Sequence, residues 1–448
     1  MKKNSLENIV LLLISLFMGL QQVEAKPFKR GGVWYDLMSY YTGESGSPVQ
    51  VYAYKVVRPP SGEEPYVGEI SIASEVTDPD PLYEDFIGKS LPVAAIDGLA
   101  FRDCVNITRV SLPSSLIGIL SGAFMGCENL TQIQIPRSVQ IIESYVFNGC
   151  NSLTSIEIPN SVEDYSADLT SCEGLTEVIF EDGEKPLNLN STKIGGKNVK
   201  TLYWGRNIEK SMYGETFATL GGEALEKVTI GGSVTFLPAG AFQSCTNLKE
   251  VIWKNSLKEI GRATFYKCTA LESIDLPSGL QVIGKNAFDN CTNLQRVNSQ
   301  QDGQFIIPNG VVKVLSYAFD GCSSLREVII PSTCEEIASS AFRNISTITK
   351  VTCRAETPPV ISDFTFTPAT YNKATLVCPS PDSYSVADGW KNFFNIISEV
   401  EDLVSVSAPR TDISQKGNHV YDLSGRRIHH INSAPKGLYI VNGRAVVK

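Results

Sequence analysis

The sequence predicts a repeat solenoid of short parallel strands and helical or 3-10 turns, flanked by small β caps. Three observations carry this reading. A 23-residue template, P-x-S-[LV]-x-x-[IL]-x-x-x-A-F-x-x-C-x-x-L-x-x-[IV]-x-[IL], recurs in register from Pro113 onward. Each copy ends on an alternating apolar and polar stretch, such as "TQIQI" or "TSIEI", which marks a strand with one buried face. The A-F-x-x-C-x-x-L portion spaces its apolar residues by three or four, as a helical or 3-10 turn does. One unit cannot enclose a core, so stacked units must bury one another's Leu, Ile and Phe.

Residues 1–25 read as a cleavable signal peptide. Lys2 and Lys3 precede an apolar run from Ile9 to Leu20, and Val23-Glu24-Ala25 supplies a small-residue cleavage pattern. The run is short for a hydrocarbon core of about 30 Å, so a membrane span is not predicted. Residues 26–90 lack the period. "VWYDLMSYY", "VQVYAYKVV" and "YVGEISIA" read as strands of an N-terminal β cap, which a solenoid's open first coil requires.

The solenoid itself covers 91–353. A partial copy carries Ile96, Ala100, Phe101, Cys104, Ile107, Val110 and Leu112. Good copies begin at Pro113, Pro136, Gly231, Lys254, Pro277, Pro308 and Pro331, and degenerate ones fill 159–230. Eight extra residues, "NSQQDGQF", interrupt the register after Val297. Roughly eleven coils result, about 50 Å long at about 4.8 Å per coil. The proline after each strand cannot donate to a ladder and ends it. Residues 354–400 follow as a C-terminal cap, with Tyr384, Trp390, Phe393 and Ile396 able to lie over the last coil. A polar linker and small β-hairpin tail complete 401–448, with Asn442-Gly443 as its turn signal.

The template resembles the leucine-rich repeats of the BspA-like family, bacterial surface proteins with the same 23-residue signature; the likeness covers about 96–353. It implies a leucine-rich-repeat horseshoe or arc and an adhesin-type role, binding host matrix proteins, host cells or other bacteria. The cap segments resemble the family's own lead-in and closure. The tail, through "DLSGRR" and "KGLYIVNG", resembles the C-terminal sorting or anchoring modules of secreted Bacteroidetes proteins.

Eight of the eleven cysteines occupy one repeat slot: Cys104, Cys127, Cys150, Cys172, Cys245, Cys268, Cys291 and Cys322. A file spaced by about 4.8 Å points its sulfurs in parallel. Zinc needs them converging on one point, so no metal is expected. Parallel Cβ vectors also fit a disulfide dihedral poorly, and each thiol has two equivalent neighbours. A nucleophile needs a base, yet His419, His429 and His430 all lie beyond the repeats. The sulfurs therefore read as buried apolar filler with a weak S–H donor. Cys353 and Cys378 fall in one strand column as strained neighbours, and a bridge between them is left open.

A net charge of -9 disfavours nucleic acid and anionic membranes. Gly88-Lys89-Ser90 fails as a phosphate loop because Tyr83 stands where its first glycine belongs. No catalytic residue, cofactor or metal site is assigned. The outward strand residues form the candidate ligand-binding stripe: Gln132, Gln134, Ser155, Glu157, Lys227, Thr229, Glu250, Ile252, Ser273, Asp275, Glu327 and Ile329. Such an extended polar face suits an extracellular protein or glycan partner. The expected function is an exported, non-catalytic interaction protein of the cell surface. The alternatives are a passive scaffold, or an accessory to a glycan-acting enzyme with a site in 181–225.

Overall fold

The computed structural model describes residues 26–42, 49–81, 83–189, 195–209, 218–254, 257–399 and 402, and the backbone of 420–421, 427–428, 438–441 and 444–447. The signal segment, His419, His429, His430 and Asn442-Gly443 lie outside these. The chain is a parallel β-solenoid of about 13 turns with few helices. It exceeds the eleven coils of the repeat pattern because non-repeating segments join the stack at both ends. Gly68–Ser71 pairs in parallel with Ile107–Ser111. At the far end Thr375–Cys378 and Asn395–Ser398 extend the sheet beyond Lys350–Cys353. The tail strands Val420–Tyr421, Arg427–Ile428, Leu438–Val441 and Arg444–Val447 form a separate four-stranded sheet rather than a simple hairpin.

Each coil contributes one front strand, such as Ser155–Ile158 or Lys227–Ile230, whose residues alternate between core and surface. A second row of two-residue strands lines the back, with Gly118–Ile119, Ile141–Ile142 and Asp164–Tyr165 paired in parallel. The turns carry a third ladder: Phe101 N–H donates to Ala123 O at 2.8 Å, and Phe265 N–H to Ala287 O at 2.8 Å.

The A-F-x-x-C segments are single turns closed by 3-10-type bonds between residues three apart, such as Arg102 N–H to Leu99 O and Cys104 N–H to Phe101 O, each at 3.1 Å, and they do not lengthen into helices. The cause is a pair of left-handed residues four apart in each regular coil. Tyr145 (φ 60°) and Gly149 (φ 77°), Ala263 (φ 52°) and Lys267 (φ 60°), and Asn286 (φ 56°) and Asn290 (φ 59°) show it. A left-handed residue cannot continue a right-handed helix.

Inside the stack, aromatic rings pile face to face. Phe101 and Phe124 lie 5.1 Å apart and 5° from parallel, and Phe265 and Phe288 5.2 Å apart and 13°. All eleven cysteines are buried and free. In the degenerate middle coils, Tyr165, Phe180 and Trp204 replace the phenylalanine file, with centroids 5.3 and 4.8 Å apart.

There the front and back strands fuse: Glu177–Leu189 and Thr201–Ile208 run through the corner as single strands. Arg206, 1% exposed, staples that corner. Its guanidinium donates to Val162 O and Lys185 O, each at 2.8 Å. The eight-residue interruption gives one extra front strand, Gln304–Ile306, between Arg296–Val297 and Glu327–Ile330. In the end segments, Tyr35 and Tyr54, and Tyr384, Trp390 and Phe393, are buried against the core.

Candidate functional site

The front face splits the expected stripe into two groups. Toward the C-terminal half Lys227, Glu250 and Glu327 are engaged in cross-strand pairs. Lys227 meets Glu250 at 2.9 Å, and Glu327 takes a hydrogen bond from Gln304 at 2.8 Å and lies 3.8 Å from Lys350. Such half-exposed pairs hold little energy. Thr229, Ile252 and Ser273 are half-buried between their neighbours, and Asp275 is exposed. Ile329 departs from the expectation of an accessible residue, being 9% exposed. It is flanked in register by Ile306 and Thr352. The chain beyond Ser398 also returns to this face, where Asp402 meets Lys350 at 2.6 Å.

The other four residues, Gln132, Gln134, Ser155 and Glu157, converge on one groove of about 860 Å³. It opens where the front ladder fails. Gln132–Ile133 pairs with Arg109–Val110 over two residues only. Ser155–Ile158 pairs forward with Glu177–Phe180. Among the described residues no strand pair joins 132–133 to 155–158. The turn that follows shows the same displacement. Ser115, Ser161 and Thr333 each donate a hydroxyl to the preceding coil, to Val93 O, Val139 O and Val311 O. The equivalent hydroxyl of Ser138 is buried without a partner. Residues 134–138 thus stand apart from the coils on either side, and the groove fills the gap.

Four further lining residues escaped the sequence reading: Arg109, Ser111, Arg137 and Glu181. Arg109 and Ser111 continue the outward column one coil back, so extending the template into its partial first copy would have found them. Glu181 reaches the groove because its strand runs on past Phe180.

Glu181 is paired with Arg137, and Asn160 N–H donates to it at 3.1 Å. Glu157 hydrogen-bonds the Glu181 carboxyl; that contact, with burial second, raises its pKa above the ordinary glutamate value. Burial also pushes Glu181 upward, but the Asn160 N–H, the Glu157 hydrogen bond and Arg137 outweigh it and leave its pKa lowered. Of the two carboxyls, Glu157 is thus the one that holds a proton more readily and Glu181 the one that gives it up more readily.

A hollow of about 340 Å³ adjoins the groove, with Asp182 and Tyr203 on its wall. Tyr203 Oη donates to Asp182 at 2.6 Å, and Lys254 Nζ lies 4.8 Å from the Tyr203 ring centre. Chemically the groove offers amide, hydroxyl and guanidinium donors at one end and a protonatable acid pair at the other. Among the described residues no group of three or more His, Cys, Asp or Glu side chains is placed to hold a metal ion, and no helix is long and apolar enough to cross a membrane.

The profile of the BspA-type leucine-rich repeat region matches residues 92–209, 210–306 and 298–380, in six copies. No curated protein sequence matches the chain. Among solved structures, a leucine-rich cell surface protein of Faecalibacterium prausnitzii is 21% identical over 73% of this chain and 94% of its own, with a TM-score of 0.28. A leucine-rich repeat protein of Bacteroides ovatus is 19% identical over 72% and 97%, with a TM-score of 0.26. The pneumococcal vaccine antigen PcpA is 16% identical over 84% and 99%, with a TM-score of 0.36.

Proposed function

The chain belongs to the BspA-type leucine-rich repeat family, and from that premise we propose that it is an exported, non-catalytic surface protein. It binds extracellular proteins or glycans, of host matrix or of other cells, in the manner of an adhesin. The observation that carries the reading is the groove at Gln132, Gln134, Ser155 and Glu157, a polar recess on the strand face. Solenoids bind through such extended faces, each coil adding side chains to one surface.

Export rests on the N-terminal segment. The precursor is cleaved after Ala25, and the mature chain is kept at the cell surface by its 401–448 tail, as in secreted Bacteroidetes proteins. The test is twofold. N-terminal sequencing of chain recovered from the cell exterior should begin at Lys26. The purified mature chain should capture ligands on an array of matrix proteins, bacterial surface proteins and glycans. Recovery only from the cytoplasm, or a blank array, defeats the reading; a blank array with surface recovery leaves a passive scaffold.

A further inference from the structure

Arg137 and Glu181 line both the groove and the hollow beside it, so the two make one depression. From Arg109 to Glu181 it crosses successive front strands, at about 4.8 Å per step. The outward positions form two rows along that axis: Arg109, Gln132 and Ser155 in one, Ser111, Gln134 and Glu157 in the next. Hexose units joined end to end advance by nearly one such step per ring. An extended polypeptide advances by about 3.3–3.6 Å per residue and falls out of step with the rows. The side chains in these rows end in hydroxyls or in flat groups with two polar atoms side by side. Adjacent hydroxyls of a sugar, each both donor and acceptor, match such groups two at a time. Val110, Ile133 and Ile135 line the groove but are buried, so it offers little to the apolar anchor of a protein partner.

The hollow supplies what the groove lacks, an aromatic ring. Ile179 and Tyr203 are neighbours in register, and both line it. Tyr203 is held in place before any ligand arrives: its hydroxyl donates to Asp182 at 2.6 Å, and Lys254 Nζ lies 4.8 Å from its ring centre. Glycine at 231 makes room for the Asp182 carboxylate, since a Cβ there would stand 2.1 Å from Asp182 Oδ1. Asn160 also lines the hollow. Its amide gives one hydrogen to Asp182 O at 3.1 Å and keeps a second N–H and an oxygen for a ligand. An apolar floor bearing a ring, with polar groups around it, suits the C–H face and the hydroxyls of a pyranose. Two arginines, Arg109 and Arg137, stand against Glu157, Glu181 and Asp182, so the depression favours neither an anionic nor a cationic chain.

We propose that this depression binds a neutral linear oligosaccharide, with one hexose ring against Tyr203 in the hollow and the following units along the groove. The proposal rests on the binding function above and narrows its ligand to a glycan.

The test uses the mature full-length chain on an array of neutral oligosaccharides of glucose, mannose, galactose and N-acetylglucosamine, one to six units long. Sulfated counterparts, a Gly/Ser decapeptide and matrix proteins share the array. At least one neutral series should bind, and its affinity should rise with length up to about four units, one for each front strand crossed. Tyr203→Ala should weaken binding about fivefold to tenfold, the ratio of one ring contact, and Tyr203→Phe should weaken it less. Ser155→Arg, which fills the groove and leaves the hollow, should abolish the gain from added units. Glu250→Ala, on the same face but outside the depression, should change nothing, and thermal melts show that the variants fold. Unchanged binding by Tyr203→Ala, an affinity independent of length, or a preference for the sulfated series or the peptide overturns the proposal. If matrix proteins are captured and no sugar is, the proposal falls and the surface-binding function stands. If nothing is captured at all, both fall.

Discussion

Cys268 Sγ lies 3.2 Å from the carbonyl oxygen of Phe242, one coil earlier. That same oxygen accepts the Cys245 N–H at 3.3 Å. The arrangement repeats: Phe265 O accepts Cys268 N–H at 3.1 Å and Cys291 Sγ at 3.0 Å, and Phe124 O accepts Cys127 N–H at 3.1 Å and Cys150 Sγ at 3.2 Å. Each phenylalanine carbonyl thus uses both lone pairs, one within its turn and one across to the next coil. Cys268→Ala removes the second bond and opens a small cavity, and should cost about 2 kcal/mol. Cys268→Ser keeps a hydroxyl donor and should cost about half as much. Urea unfolding of the two variants distinguishes a bonding thiol from mere filler: equal losses would leave the S–H contact with no role.

The same burial makes stability depend on alkali. Cys127, Cys172, Cys245 and Cys291 are each pushed up to about 12, chiefly by burial. In the unfolded chain a thiol ionises near pH 8.5. Above that pH the unfolded state therefore holds fewer protons than the folded one, and stability falls as pH rises. Each thiol contributes about 1.4 kcal/mol per pH unit over that window. Denaturation midpoints should be flat from pH 6 to 8 and drop steeply from about pH 9. Cys127→Ser should make the decline shallower by one thiol's share, and an unchanged slope would contradict the assignment.

The interior positions were legible because the period fixes them. Phe265 is fully buried, with the rings of Phe242 and Phe288 at 5.6 and 5.2 Å. Glu250 is exposed and touches Lys227 alone among the described ion pairs. Phe265→Ala should cost about 3–5 kcal/mol, and Glu250→Ala about half a kcal/mol at most. Comparable losses in chemical unfolding would invert the inside and outside of the coil.

What could not be read was how one coil seats against the next. The units starting at Pro113 and Pro136 are both good copies, so no residue type announces that the ladder fails between them. Arg137 and Glu181 are 44 residues apart and meet only because a front strand overruns its normal length. Ile329 obeys the outward alternation, yet it is covered between Ile306, on the strand that the eight-residue interruption adds, and Thr352. The left-handed turn pairs were half visible: Gly122, Gly126, Asn286 and Asn290 occupy those slots, whereas Leu99, Tyr145 and Lys267 hide the same geometry behind ordinary side chains.

Those hidden positions can be improved. Ala263 holds φ 52°, a conformation that costs a non-glycine residue roughly 1–2 kcal/mol. Glycine removes that strain and adds a somewhat smaller entropy loss on folding. Ala263→Gly should therefore raise stability by up to about 1 kcal/mol. Gly126→Ala should do the reverse by at least as much: it adds a Cβ at φ 75°, 2.6 Å from Asp103 Oδ1 and 3.3 Å from the Asp103 backbone. Thermal midpoints moving in the same direction for both would refute the turn geometry.

Tyr165 supplies the last expectation. It is fully buried in the middle coils, edge-on to Phe180 at 5.3 Å, and its phenolic oxygen has no partner. An unbonded hydroxyl taken out of water costs about 1–3 kcal/mol, and phenylalanine keeps the ring and its packing. Tyr165→Phe should thus stabilise the protein by about 1 kcal/mol, an unusual sign for a core substitution. The gain should also add to that of Ala263→Gly, since the two sites lie in coils far apart along the stack and share no partner. A loss of stability in Tyr165→Phe would mean that the hydroxyl is bonded after all, and that this part of the core is held by a polar contact rather than by its rings alone.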